Sequence, residues 1–319
     1  MIQPNNLTSL ANALDASADV KRAIPKPPKN AVFVGSGDSL SSALLAQACG
    51  HRALSSGDIA FMGRLPVGTE AVVGISHSGT SGATVAALRV AREAGARTIA
   101  ITSSADSPLG DAADEVQLVP SLAVDESVPC AGHLMLGLGV AAVCGENLDG
   151  ATAELAQRLR DRAGLVDAAV SMLPEHGPAG ISILSLPDLR GAADFWVLKL
   201  IEATGISVRA AALEESGHVD YFIGPQAHLA IQLIGGQGRF RFDRLAAALE
   251  HTGQTVIQLA FPEQPVSSIR DGFLHELSGG AVGALVAESA ASRWGRPVFR
   301  GGAVNMDAAH IKLDGLPVS

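Results

Sequence analysis

Short apolar, β-branched runs ending in glycine or serine recur along this chain, and each is followed by a stretch of helical spacing. Residues 31–35 (AVFVG), 70–76 (EAVVGIS) and 96–102 (ARTIAIT) show no polar alternation, so each reads as a strand buried on both faces. Between them, SLSSALLAQACG and ATVAALRVAREAG (83–95) carry helical periodicity, and Gly95 stops the second. Strands alternating with helices of this length need crossover connections, so the sheet they build is parallel and covered on both faces. A weak strand near 58–62, a short helix at 107–114 and a strand at 115–119 (EVQLV) complete this half. Ahead of it lies helical spacing over 6–24, which stops at IPKPPKN (24–30) because each proline blocks continuation.

The second half repeats the plan. Residues 151–172 read as one long helix, 180–186 (GISILSL) as a strand and 190–205 as a helix closed by Gly205. Then come a strand at 228–235, a helix at 241–253, a strand at 254–261, a helical run at 271–294 and an irregular tail at 295–319. Helix, strand, loop and helix thus recur roughly 150 residues apart, by the logic of internal repeats. The expectation is two similar doubly wound α/β domains, 1–149 and 150–319, divided near Leu148–Gly150.

Two loops lie at the carboxyl ends of strands and at helix N-termini. The first is Gly35-Ser36-Gly37-Asp38-Ser39, and the second runs from Ser76 through His77, Ser78, Gly79, Thr80 and Ser81 to Gly82. Helix N-termini present unpaired N–H groups and partial positive charge, small hydroxyls add donors, and glycine lets the backbone approach an anion. Serine and glycine are also ordinary turn and capping residues. Two such loops in adjacent strand–helix turns favour a shared anion site.

Residues 76–114, with Ser-x-Ser-Gly-x-Ser at their start and SPLGDAAD at their end, resemble a sugar isomerase (SIS) domain. The doubled arrangement resembles the isomerase half of glutamine–fructose-6-phosphate amidotransferase, together with the phosphosugar isomerases and amino-sugar deaminase/isomerases. The resemblance is strong over 31–120, moderate over 190–225 and weak in the tail. It implies two flavodoxin-like, parallel-sheet SIS domains in tandem. It also implies a phosphate held by Ser39, Ser76, Ser78 and Ser81, with Gly37 in the first loop and His77 where the family often has Gln. Asp38 stands where the amidotransferases have Thr, and a carboxylate beside a phosphate is repulsive unless it turns away or pairs. The bound group is therefore a phosphate or another anion. Nothing resembling a glutaminase precedes the first helix, so this chain alone is not expected to draw ammonia from glutamine.

Lys199 and Glu202 lie one turn apart on an otherwise apolar helix, among Phe195, Trp196, Leu198 and Ile201. A surface salt bridge is the plain alternative, but lysine ahead of glutamate is the less favourable helical order and these neighbours make a poor solvent face. His218 follows, with Glu215 three residues before it. The bland reading of His218 is a helix-end imidazole satisfying carbonyls. The family has Leu-Lys-x-x-Glu and then His here, matching Leu198, Lys199, Glu202 and His218. By that resemblance Glu202 moves the proton between C1 and C2, and His218 opens the sugar ring in a neighbouring subunit's site. A tail lysine also reaches the family's site; Lys312 is the candidate, with His310 as the alternative. In Glu126–His133 the sequence departs from the amidotransferases, so Cys130, Ala131 and His133 change what would contact the sugar hydroxyls.

Aldose–ketose isomerisation removes a proton beside a carbonyl and returns it one carbon away. One carboxylate kept largely dry can do both, and a nearby cation, Lys199 or the tail lysine, stabilises the enediolate. No cofactor is implied. The histidines lack HxxxH or HxH spacing and Cys49, Cys130 and Cys144 lack ligand spacing, so no metal is expected.

Composition excludes other classes. A hydrophobic content of 47% with 17% charge excludes general disorder, and 4% aromatic content disfavours base stacking. A net charge of −9 without a long basic tract disfavours nucleic acid and anionic membranes. No run of about 18 apolar residues and no signal-peptide pattern appear, so a reduced, cytoplasmic setting is expected. The leading reading is a cytoplasmic, homodimeric phosphosugar aldose–ketose isomerase with sites near the subunit interface. The alternatives are an amino-sugar phosphate deaminase/isomerase and a non-catalytic sugar-phosphate sensor, which would not need Glu202 and His218.

Overall fold

The computed structural model describes residues 7–236, 238–261 and 266–296. Their packing groups them into two compact units, one of residues 13–123 and 131–154, the other of 7–12, 124–130 and 155–296. The change from the first unit to the second falls at 154/155, inside helix Ala151–Asp161, and two short segments from the first half cluster with the second.

The first unit is built on a five-stranded parallel sheet of β1 (Ala31–Gly35), β2 (Arg52–Ser55), β3 (Ala71–Ile75), β4 (Arg97–Thr102) and β5 (Glu115–Leu118), in the order β2-β1-β3-β4-β5. Helix Gly82–Glu93 covers one face, where Val32, Val34, Val72 and Ala100 meet Val85, Leu88 and Ala91. The other face receives helix Ala131–Cys144, nearly all of it buried. Gly139 there lies so close to the sheet that an added Cβ would sit 2.6 Å from Val119 and 2.7 Å from Ile101. Both faces are thus apolar, which is why the strands read as unbroken hydrophobic runs. The weak strand expected near 58–62 is instead part of helix Ser56–Ala60 and the turn after it. The strand is β2, at the sheet edge; its Arg-Ala-Leu-Ser sequence is nowhere fully buried and carries no apolar run to mark it.

The second unit repeats the order with four parallel strands: β6 (Gly180–Ser185), β7 (Val208–Ala212), β8 (His228–Ile234) and β9 (Thr255–Ala260), arranged β7-β6-β8-β9. β7 is another edge strand whose alternating VRAAA composition gave no sequence signal. Helix Arg190–Thr204 packs on helix Ile269–Arg293, where Trp196 donates its indole N–H to the Gly279 carbonyl at 2.9 Å. The long helix expected over 151–172 is two, Ala151–Asp161 and Ala163–Met172, broken where Arg162 takes φ −93°, ψ 0°.

Candidate functional site

In doubly wound sheets ligands lie beyond the carboxyl ends of the strands where the strand order reverses. In the first unit that point is between β1 and β3, and both hydroxyl-rich loops leave it. Gly37 has φ +57°, a left-handed conformation open to glycine, and helix Asp38–Leu44 starts immediately after it. Ser39 is buried on that helix, while Ser36 is exposed and its Oγ lies 2.6 Å from Ser56 Oγ.

The second loop is held from below. Thr102 Oγ1 and Ser103 Oγ both donate to the His77 carbonyl, at 3.0 and 2.7 Å, and the Ser103 N–H donates to it as well. Gly79 has φ +69°, and a Cβ there would fall 2.2 Å from Ser107 Oγ, so no other residue fits. Ser76 is buried and its Oγ lies 3.0 Å from Ser81 Oγ; Ser78 is exposed, with Oγ 2.8 Å from Thr80 Oγ1. Ser81 precedes helix Gly82–Glu93 in extended backbone and makes no capping bond with its side chain. His77 is half-buried, and burial lowers its pKa, so the imidazole is neutral at neutral pH. Gly132 lies against its ring: a Cβ there would come within 3.3 Å of His77 Cδ2. Ser36 and Thr80, which the family pattern does not single out, thus join the hydroxyls of the same two loops.

His133 belongs to the core of the first unit. It is buried, with Nδ1 2.9 Å from Ser42 Oγ, and Cys130 and Ala131 are buried as well. The expectation that His133 alters contacts to sugar hydroxyls gives way to a core hydrogen bond between helices Asp38–Leu44 and Ala131–Cys144.

The second unit carries the charged set. Lys199 is fully buried on helix Arg190–Thr204; its Nζ lies 2.9 Å from Glu202 Oε2 and 4.9 Å from the centre of the Phe195 ring. Glu202 keeps 33% of its side chain exposed, so a dry cation supports a partly accessible carboxylate. His218 is exposed on helix Leu213–Val219. Two residues on, Asp220 is wholly buried: its Oδ1 accepts from Ser182 Oγ and Arg209 Nη2, each at 2.5 Å, and its carbonyl accepts from Gln254 Nε2 at 2.7 Å. His228 Nε2 lies 2.9 Å from Ser182 Oγ. Since the Ser182 hydroxyl proton goes to Asp220, His228 is the donor in that bond. This buried cluster pins the segment that carries His218. Sequence reading overlooked it, although Ser182 and His228 are polar residues within otherwise apolar strands. Lys312 and His310 lie outside the described residues.

At the strand-order reversal of the second unit the chemistry is inverted. After β6, Asp188 fills the place where an anion would sit: an added Cβ on Gly235 would be 1.9 Å from its Oδ2, and the Gly236 N–H donates to its carboxylate. Glu276 accepts from the Ala192 N–H at 2.9 Å and from the Gly191 N–H, capping helix Arg190–Thr204. Burial raises the Asp188 pKa, and burial, with Asp188 nearby, pushes Glu276 up to about 8. Carboxyls therefore occupy the crevice of one unit, and hydroxyls the crevice of the other. Among the described residues, no group of three or more His, Cys, Asp or Glu is disposed to hold a metal ion, and no helix is long and apolar enough to cross a membrane.

Residues 59–128 match the family model of the SIS domain. That match takes in β3, β4 and β5 of the first unit and its second hydroxyl-rich loop. In sequence, no curated protein matches the chain. Among solved structures it is similar to glucosamine-6-phosphate deaminase from Thermotoga maritima, at 20% identity and TM-score 0.65, covering 86% of this chain and 89% of that one. It is similar to tagatose-6-phosphate ketose/aldose isomerase from Escherichia coli at 16% identity and TM-score 0.66, covering 95% and 90%. It is also similar to the C-terminal domain of glucosamine-fructose-6-phosphate aminotransferase from Francisella tularensis, at 15% identity and TM-score 0.67, covering 92% and 95%. At these identities the likeness is one of fold, and the SIS fold accounts for both parallel sheets.

Proposed function

We propose that the chain binds a phosphorylated sugar at the two SIS-domain loops and interconverts its aldose and ketose forms. The observation that carries this is the gathering of Ser39, Ser76, Ser78 and Ser81 on the loops after β1 and β3, at the strand-order reversal and before helix N-termini. The exposed Ser78 and the partly exposed Ser81 supply hydroxyl donors, and the neutral His77 adds no charge of its own.

In this reading Glu202 takes the proton from C2 of the open-chain aldose and returns it to C1, so the carbonyl moves from C1 to C2. The hydroxyl proton passes in the same sense, from O2 to O1. Lys199, buried and 2.9 Å away, fixes the carboxylate and balances charge as the enediolate forms. His218 opens the ring in the site of a second copy of the chain. Support for that dimer comes from exposed apolar side chains beside it: Val219, Tyr221 and Phe222. The reading needs no metal or cofactor and suits a cytoplasmic enzyme.

The experiment is a panel of tetrose to heptose phosphates incubated with the protein in deuterium oxide and followed by proton NMR, with and without ammonia. Deuterium entering C1 or C2 with aldose–ketose conversion is the expected result. Release of ammonia from an amino-sugar phosphate would replace isomerase by deaminase. Binding without exchange would make the protein a sensor.

A further inference from the structure

The second unit has a pocket of about 860 Å³ at the carboxyl ends of β8 and β9, lined by none of the residues assigned above to sugar binding or proton transfer. Three arginines, Arg158, Arg162 and Arg239, line it, with one carboxylate, Asp161. Arg158 is paired with Asp271 at 2.5 Å and Arg239 with Asp243 at 3.3 Å.

Arg162 is different. It sits at the break between two helices and is buried, with 8% of its surface exposed. Nε donates to Ser278 Oγ at 2.8 Å, Nη2 lies 3.4 Å from His275 Nδ1, and the guanidinium carbon stacks 5.0 Å above the Phe261 ring. All three partners are neutral, because burial, with the two arginines nearby, drives the His275 pKa down to about 3. Arg162 itself is lowered to about 10 by burial and stays charged at neutral pH. Among the described residues no carboxylate pairs with it directly, and nothing accepts from its Nη1. Asp161 and Asp271 lie near enough to favour its charged form without pairing with it, so a guanidinium held dry at this cavity wall gains from an anion that completes it. The glycines Gly235, Gly236 and Gly238 lead into helix Arg239–His251, whose N-terminus adds positive potential at the same wall.

We propose that this pocket is a second ligand site, for a phosphorylated small molecule, separate from the serine loops of the SIS domain. Arg162 is its preorganised anchor, offering a planar fork to phosphate oxygens, and Arg239 is an exposed second contact. The volume leaves room for a sugar or nucleoside attached to the phosphate.

Calorimetric titration with inorganic pyrophosphate tests it in the full chain. A Ser78→Ala/Ser81→Ala variant removes two of the loop hydroxyls, so pyrophosphate binding that persists in it and is weakened by changes at Arg162 or Arg239 belongs to the arginine pocket. In that background Arg162→Gln is expected to weaken binding at least tenfold. Arg239→Glu, at a side chain 60% exposed and safe for folding, should weaken it severalfold. Loss of all binding in the serine variant, or unchanged affinity in Arg239→Glu together with a folded Arg162→Gln, would overturn the proposal. Failure of the serine loops to bind a sugar phosphate would leave this result standing.

Discussion

Replacing Glu202 by Gln separates chemistry from support in one pair of residues. The carboxylate is 2.9 Å from the Lys199 ammonium, whose side chain is 1% exposed, whereas Glu202 is 33% exposed. Breaking a fully buried ion pair costs about 3–5 kcal/mol, because the remaining charge loses its compensation. Water reaches the Glu202 end, and exposed pairs are worth about 0–1 kcal/mol. An intermediate loss of about 1–3 kcal/mol is therefore expected for Glu202→Gln, seen as a fall of roughly 2–12 °C in the second unit's melting temperature. Turnover should fall further, by about 10²–10⁴-fold, because Gln keeps the volume but cannot take up the proton. Sugar-phosphate affinity should hold. The companion variant Lys199→Met/Glu202→Gln removes both charges and is expected to regain most of the lost stability while staying inactive. The assay is deuterium exchange at C1 or C2, beside thermal unfolding of each variant. Wild-type exchange in Glu202→Gln, or recovery of exchange together with stability in the double variant, would refute the assignment of Glu202 as the base.

Ser78→Ala should weaken sugar-phosphate binding by about 1–3 kcal/mol without altering the melting temperature, since the hydroxyl is exposed; titration calorimetry reads both the loss and its absence. Gly79→Ala should destabilise the first unit by more than about 1 kcal/mol in urea unfolding, because φ is +69° and the new methyl would collide with Ser107. Stability of the second unit should fall as pH rises from about 6.5 to about 8. Glu276, raised to about 8, stays protonated in the folded state over that range, while the unfolded chain has already released its proton. Below 6.5 the lowered His275 acts in the opposite sense, losing stability as pH falls, so the two partly offset each other there. Glu276→Gln should flatten the 6.5–8 decline in melting temperature.

Strands buried on both faces were legible in the sequence because a parallel sheet leaves no polar face to interrupt them. β1, β3, β4, β6 and β8 are such runs and the edge strand β9 keeps an apolar sequence, whereas the edge strands β2 and β7, half solvated, left no comparable pattern. The serine loops were legible for the same local reason: glycine and hydroxyl residues follow directly on those strands. The Lys199–Glu202 contact was likewise implicit in helical spacing. Long-range chemistry was not. That His133 turns inward to Ser42, that Asp188 fills the second unit's crevice against Gly235, and that Arg162 breaks a helix to lie over Phe261 each join residues between 47 and 99 positions apart. A one-dimensional pattern records which side chains are polar and how often they recur. Whether a buried polar group is a core hydrogen bond, a cap or an anion receptor depends on the partners that folding brings within about 3 Å, and that is decided only when the chain closes on itself.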